Sequence, residues 1–299
     1  MASHQKTMIT ETLVGITLSE RQRRLPCLVQ FSGSDLGRPF FIESDINVVG
    51  RDIRSDILVD EVGVSRKHCQ ILNTSRGVVI EDMGSANGTY VNNRKIRGPA
   101  TLKDGCMITL GKAQFKFFSA GNVEQMFYDK VYREKTIDEK TKVFNDKFLA
   151  TTLKTEMSLA KAYKRDLALI MYDLDHFKKV NDTFGHKFGD EVLKVTAEIV
   201  SDVIRKNDVF CRYGGEEFVI ILRQTKIETA MKLAERIRKN VSYHVFYPEQ
   251  KKEAVNHVQT ISMGVAKYST RYKTNGDFIK AVDKRLYEAK RRGRNCVVN

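Results

Sequence analysis

The run Arg212-Tyr-Gly-Gly-Glu-Glu-Phe218 restricts this chain more than any other stretch. Two mostly apolar segments, 208–211 and 218–222, flank a Gly-Gly pair followed by two carboxylates. Adjacent glycines accept positive φ at no steric cost, so the pattern predicts a tight β-hairpin with Glu216 and Glu217 at its tip. Two acids beside a turn are usually just solvated, so the hairpin alone does not define a site.

A second stretch changes that balance. Residues 168–175, Ala-Leu-Ile-Met-Tyr-Asp-Leu-Asp, form an apolar run ending in carboxylates. This predicts a core strand with Asp173 at its exit. If that strand pairs beside the hairpin, Asp173 converges with Glu216 or Glu217. Hard oxygen ligands at strand ends suit Mg²⁺, which takes a few carboxylates together with substrate phosphates. Two such ions hold the attacking and leaving oxygens of a phosphoryl transfer.

The run from Asp173 to Asp190, which includes Asp-Leu-Asp-His-Phe-Lys-Lys-Val-Asn, together with the Gly-Gly-Glu-Glu-Phe hairpin, resembles the GGDEF diguanylate cyclases. The resemblance covers roughly 138–295. Within that span the pattern predicts helices over 148–163, 190–205, 227–240 and 277–291, alternating with strands over 168–172 and 259–266 and with the hairpin. That alternation gives an α/β layer with a mixed or antiparallel sheet. The resemblance implies a palm-like fold similar to nucleotidyl cyclases. It also implies condensation of two GTP molecules to cyclic di-GMP. Near the start of this region Asp138, Thr141 and Asn145 agree with the family pattern, whereas Lys140, Lys142, Val143 and Asp146 depart from it. The departures bear on how the incoming helix is coupled to the domain.

The resemblance also implies residue roles. Asp173, Glu216 and the Leu174 carbonyl match metal ligands, with two Mg²⁺ (or Mn²⁺) per site. Glu216 matches the base for the 3′-hydroxyl, supported by Glu217. Asn181 and Asp190 match guanine contacts. Phe177 and Lys178 match the turn around the triphosphate, and Lys290 and Arg294 match phosphate-holding side chains. Arg205 and Asp208 stand at the offset of the family's RxxD product-inhibition site, and Arg236 on the following helix is a candidate contributor. Because one domain holds one GTP, the chemistry implies a homodimer.

The first half reads differently. Short runs at 27–31, 47–49, 68–72, 78–81 and 114–118 alternate and are punctuated by Gly, Asn and Asp, which predicts an all-β sandwich. Gly50-Arg51, the run from Val64 to His68 and the run from Gly84 to Thr89 fall in its loops. These loops resemble those of forkhead-associated (FHA) domains, which bind phosphothreonine peptides. A phosphate needs several donors. Arg51 supplies a forked contact, Ser65 a hydroxyl, Arg66 or Lys67 positive charge and Asn87 a hold on the peptide backbone. His68 reads as a brace for the loop carrying Ser65. The expected organisation is therefore a Thr-bearing arm at 1–24, an FHA domain at 25–118, a helical connector at 119–137 and a cyclase domain at 138–299. In the arm, Thr10 and Thr12 are the candidate phosphorylation sites, which makes the tail a candidate ligand for its own FHA domain, alongside a partner peptide, and implies a Ser/Thr kinase. In the connector, Val123, Met126, Phe127 and Val131 form one apolar stripe, read either as packing on a neighbouring domain or as a dimerising helix.

Composition narrows the partners. The net charge is +14, and residues 141–299 carry 31 Lys+Arg against 20 Asp+Glu, or +11 of it. Such a half attracts anions. Bound triphosphates account for the sign without nucleic acid, whose aromatic-basic motifs are not evident. No apolar run reaches the ~18–20 residues of a membrane span. The polar N-terminus has no apolar signal core, and five scattered cysteines lack CxxC spacing. Both suit a cytoplasmic protein with free thiols. Two other readings stay open at this stage: a catalytically silent receptor for cyclic di-GMP using Arg205 and Asp208, and a phosphothreonine adaptor.

Overall fold

The computed structural model describes residues 25–32, 36–248 and 256–299. The alternating N-terminal segments form β1 (Cys27–Gln30), β2 (Pro39–Phe41), β3 (Ile46–Gly50), β4 (Ile57–Leu58), β5 (Cys69–Thr74), β6 (Gly77–Asp82), β7 (Thr89–Val91), β8 (Arg94–Lys95), β9 (Ala100–Thr101), β10 (Met107–Leu110) and β11 (Ala113–Phe118). They make two sheets, ordered β2-β1-β11-β10-β7-β8 and β4-β3-β5-β6-β9. The period of two decides what faces inward. Val78 and Ile80 of β6 meet Ile108 and Leu110 of β10 and Phe115 and Phe117 of β11 in one dry core. This is the expected sandwich.

The connector is α1 (Val123–Thr136). Asn122 starts it, its side-chain oxygen accepting from the Glu124 and Gln125 amides. The apolar stripe does not pack on a domain. Val123 is 79% and Phe127 63% exposed, and Met126 and Val131 are also exposed. The buried side carries Gln125, Asp129, Tyr132 and Thr136.

The second half runs α2 (Asp146–Tyr163), β12 (Leu167–Leu174), α3 (Phe177–Phe184), α4 (His186–Ser201), β13 (Val209–Gly214), β14 (Glu217–Arg223), α5 (Ile227–Tyr243), β15 (Val245–Phe246), β16 (His257–Val258), β17 (Ile261–Lys267), α6 (Asn275–Arg291) and β18 (Val297–Val298). Its main sheet has the order β13-β14-β12-β17-β18, antiparallel except for the parallel β17–β18 pair. β12 sits in the middle and is buried along its whole length, which is why its sequence is a continuous apolar run and not an alternating one. Ala168, Ile170 and Tyr172 face a core shared with α4 and α5, where Tyr172 stacks on Phe218 at 5.0 Å. Leu169 and Met171 face the opposite core, shared with α2 and α6. At Gly264 of β17, α6 comes so close that a Cβ would stand 2.4 Å from the Val282 carbonyl.

Two local outcomes differ from the sequence pattern. The residues after β12 form the short helix α3, and the helix expected over 190–205 spans His186–Ser201 instead. Gly185, at φ 84°, ends α3 and begins α4. Gly189 then sits inside α4 because a Cβ there would collide with the Asn181 side chain of α3. The two helices pack through a gap that only glycine leaves.

Candidate active site

The hairpin forms as its sequence predicts. Of its two glycines only Gly215 uses positive φ, at 53°. Glu216 occupies the turn and Glu217 opens β14. β12 pairs with β14 in a register that sets Asp173 opposite Glu217. The Leu174 amide reaches the Glu216 carbonyl at 3.4 Å. Three carboxylates thus gather at the mouth of two neighbouring strands. Asp173 is only 7% exposed. Burial pushes its carboxyl above the usual range; Lys290 pulls it back, and Glu216 and Asp175 push it further up. Glu217 is raised in the same way, by burial first and then by Asp173. The Lys290 ammonium rests 2.7 Å from Asp173 Oδ2. It comes from the last turn of α6, the helix that Gly264 admits to the sheet.

Among the described residues no group of three or more His, Cys, Asp or Glu is placed to hold a metal ion. The oxygen set here still fits a hard divalent ion that keeps waters and substrate phosphates in its shell and takes only one or two carboxylates from protein. The observation in favour of that fit is the donor set itself: Asp173 faces Glu217 across the strand pair, and Glu216 adjoins it in the turn.

The rim is built by contacts that sequence reasoning did not single out. Asp175, buried one residue beyond Leu174, accepts from Thr260 Oγ1 at 2.7 Å, Ser262 Oγ at 2.6 Å and the Asn295 amide at 3.0 Å. It thereby ties the exit of β12 to β17 and to the loop carrying Arg294. Arg212 donates to the Gly215 carbonyl at 2.7 Å and to Asp138 Oδ1 at 3.1 Å, joining the hairpin turn to the segment where the connector arrives. Asp175 was visible only as a second acid after an apolar run; nothing local marked the Arg212–Asp138 pair.

The remaining expected residues lie on α3, on α4 and at the end of α6 and just beyond it. Phe177 is buried at the start of α3, and Lys178 beside it is exposed. His176, at φ 57°, precedes them, and no side chain caps the first amides of the helix. Asn181 lies against Gly189, next to Asp190. Asp190 is paired with Lys140, whose ammonium is 2.7 and 2.8 Å from its two oxygens. Lys140 is one of the departures from the family pattern. Both side chains are about half exposed, and an exposed ion pair is weak enough for a ligand to displace. Arg294 is exposed at φ 67°.

Arg205 and Asp208 close the turn after α4, the Arg205 amide donating to Asp208 Oδ2 at 3.1 Å. The other Asp208 oxygen is buried without a partner, and burial pushes this carboxyl up to about 6. Arg223 braces the turn by donating to the Asn207 carbonyl at 2.8 Å and pairing with Glu156 of α2 at 2.6 Å. Arg236 donates to the Val203 carbonyl of its own chain at 2.7 Å. Arg205 and Asp208 line a cleft of about 380 Å³ whose other walls include Phe41 and Glu43 of the sandwich and Arg133 of α1.

In the sandwich, the loops expected to read phosphate come together. The Arg51 amide donates to the Ser65 carbonyl at 3.0 Å. Gly50 makes this approach feasible, since a Cβ would stand 2.2 Å from the Arg66 carbonyl. Ser65 Oγ accepts from the Ala86 amide at 3.0 Å, and Asn87 donates to the Gly63 carbonyl at 2.7 Å. His68 is buried; its Nδ1 accepts from the Ser65 amide at 3.1 Å, so Nε2 carries the proton toward the Gly88 carbonyl. Arg66 and Lys67 are exposed. Thr10 and Thr12 lie outside the described residues.

Comparison with known proteins agrees with this layout. The family model described as diguanylate cyclase, GGDEF domain, matches residues 135–296, and that of the FHA domain matches 47–111. Diguanylate cyclase A of Treponema denticola is 42% identical over 134 residues, 45% of this chain and 35% of that protein. The response regulator PleD of Caulobacter vibrioides is 38% identical over 161 residues, 54% of this chain and 35% of that protein. The matched stretch is about a third of the length of these curated relatives. The crystal structure of the coiled coil and GGDEF domain of DgcB from Caulobacter crescentus, in complex with c-di-GMP, superposes with a TM-score of 0.56 at 28% identity, covering 58% of this chain and 91% of that one.

Proposed function

Because the chain belongs to the GGDEF diguanylate cyclase family, we propose that it condenses two molecules of GTP into cyclic di-GMP and two pyrophosphates. Each 3′-oxygen attacks the α-phosphorus of the facing GTP. A new P–O bond forms, the bond from that phosphorus to the oxygen bridging the β-phosphate breaks, and pyrophosphate leaves with the electron pair. Glu216 takes the 3′-hydroxyl proton, and Glu217 keeps the cluster anionic. Asp173, Glu216 and the Leu174 carbonyl would hold Mg²⁺ or Mn²⁺, two per site, which would supply positive charge to the transferring phosphate. Asn181 and Asp190 read guanine, the carboxylate accepting from N1–H and the N2 amine once Lys140 has given way. The amides at Phe177 and Lys178 receive the triphosphate, with Lys178, Lys290 and Arg294 as point charges.

The observation that carries this reading is the strand register that sets Asp173 against Glu217 with the Lys290 ammonium on Asp173. One domain holds one GTP, so the working species is a homodimer, and the exposed Val123–Phe127–Val131 stripe of α1 supports that expectation. The division into an arm (1–24), an FHA domain (25–118), a connector (119–137) and a cyclase domain (138–299) follows. The FHA domain takes a phosphothreonine peptide through Arg51, Ser65, Arg66 and Asn87. That peptide is the chain's own arm, phosphorylated at Thr10 or Thr12 by a Ser/Thr kinase, or one from a partner. Arg205 and Asp208, with Arg236, hold product. The setting is the cytoplasm.

The test is cyclic di-GMP production from GTP and Mg²⁺ by wild type and by Glu216→Gln. A loss of about 10²-fold or more is expected on removing the base. Equal rates, or no product from the wild-type dimer with or without arm phosphorylation, favour a receptor or adaptor instead.

A further inference from the structure

The phosphate-reading loop of the sandwich is not free. The Arg51 guanidinium lies 4.6 Å from the ring centroid of Tyr163, the last residue of α2 in the cyclase half. The Arg165 guanidinium lies 4.6 Å from the same ring. Arg165 in turn donates to both oxygens of Asp60, at 2.8 and 2.7 Å. The Arg165 and Asp60 side chains are only 14% and 9% exposed, so this pair is shielded in the joint. Between Arg51 and Asp60, the Ile53 carbonyl accepts from the side-chain amide of Asn207, inside the Arg205–Asp208 turn. One short segment of the sandwich is therefore held at two places on the cyclase half.

Resting on the phosphothreonine reading of Arg51, we propose that Tyr163 and Arg165 form an internal clasp on the phosphate-reading loop, and that a phosphothreonine at Arg51 loosens it. The reason is electrostatic. Tyr163 attracts Arg51 through the negative face of its ring, an attraction that depends on the net charge of the guanidinium. A phosphate close to a full dianion neutralises that charge through stronger, forked hydrogen bonds and sets negative charge beside the ring face. Arg51 thus gives up much of its hold on Tyr163 when it holds phosphate. Linkage requires the converse: the clasp lowers affinity for phosphopeptide, and its removal raises it by the same factor. Loosening also lifts Ile53 from Asn207, so occupancy of the loop is transmitted to the turn that carries Arg205 and Asp208.

The experiment measures binding of fluorescent phosphothreonine peptides to the full chain by anisotropy. The probes are the 5–16 segment phosphorylated at Thr10 or at Thr12, and a degenerate phosphothreonine library. Wild type is compared with Tyr163→Ala and with Arg165→Gln, which reaches the same joint through the Asp60 pair should the first variant misfold. Affinity is expected to rise about three- to tenfold in each, the span of a cation–π contact at a partly exposed joint. Unchanged or weaker binding in the variants, with wild type binding normally, overturns the clasp and leaves the phosphothreonine reading intact. Failure of every chain to bind any phosphopeptide overturns that reading, and the clasp with it.

Discussion

At the scale of single residues, Asp208 is the most exacting case. Its carboxyl is buried, has one unpartnered oxygen and is pushed up to about 6, with only partial relief from Arg205 and Arg223. A carboxyl raised in the folded state binds its proton more tightly there than in the unfolded chain. Its contribution to stability is full below the unfolded value near 4 and is lost as pH rises through about 6. The stability of wild type relative to Asp208→Asn should therefore fall between pH 4.5 and 7.5 (roughly) by on the order of 2–3 kcal/mol, read from urea midpoints at each pH. Parallel curves for the two proteins would rule out the buried charge. Much of the chemistry at this scale was legible in the sequence. Asp173 follows an apolar run and the acid pair follows Gly-Gly, and both signals are local. Asp175, the Arg212–Asp138 pair and the Lys140–Asp190 pair were not legible, because each joins segments far apart in the chain and has no meaning until the sheet is assembled.

At the scale of elements, α6 shows how a helix is placed so that one side chain arrives on target. Its capping box, with Thr274 and Asp277 exchanging hydrogen bonds, fixes the start, and Gly264 of β17 lets the backbone sink toward the sheet. A methyl group at 264 would press on the Val282 carbonyl and the Leu286 amide, which are backbone atoms with little room to yield. Gly264→Ala should cost about 1–3 kcal/mol and draw Lys290 away from Asp173, so that the melting temperature and GTP turnover fall together. An unperturbed melting temperature would show that α6 shifts without strain. The sequence read this helix well because its period is local. It misplaced the start of α4, because Gly189 belongs inside the helix only to leave room for Asn181 on another helix, which no local pattern shows.

At the scale of the whole molecule, a sandwich with its own core and an α/β half with a core on each face of its sheet are joined by one connector. The sandwich and the α/β layer were both readable, since strand alternation and the βα rhythm are written along the chain, whereas the palm came only through the family resemblance. The seating of one against the other was not, because it depends on pairs such as Arg165–Asp60 and Asn207–Ile53, which are separated by 105 and 154 residues. The exposed stripe on α1 belongs to this scale. Replacing Phe127 and Val131 together by Glu should leave the fold intact, shift the mass seen by light scattering toward monomer, and make turnover depend more steeply on protein concentration. A charged pair that left both mass and rate unchanged would remove α1 from the proposed dimer.

The connector is mounted with its oily side outward and its amide side inward. Gln125 is 1% exposed with neither side-chain atom hydrogen-bonded, and one Asp129 oxygen is likewise stranded. Each such group costs about 1–3 kcal/mol. What anchors the helix is therefore aromatic: Tyr132 is buried edge-on against Phe148 of α2, and Tyr128 meets Phe31 and Phe118 of the sandwich, so one helix carries a foothold in each half of the chain.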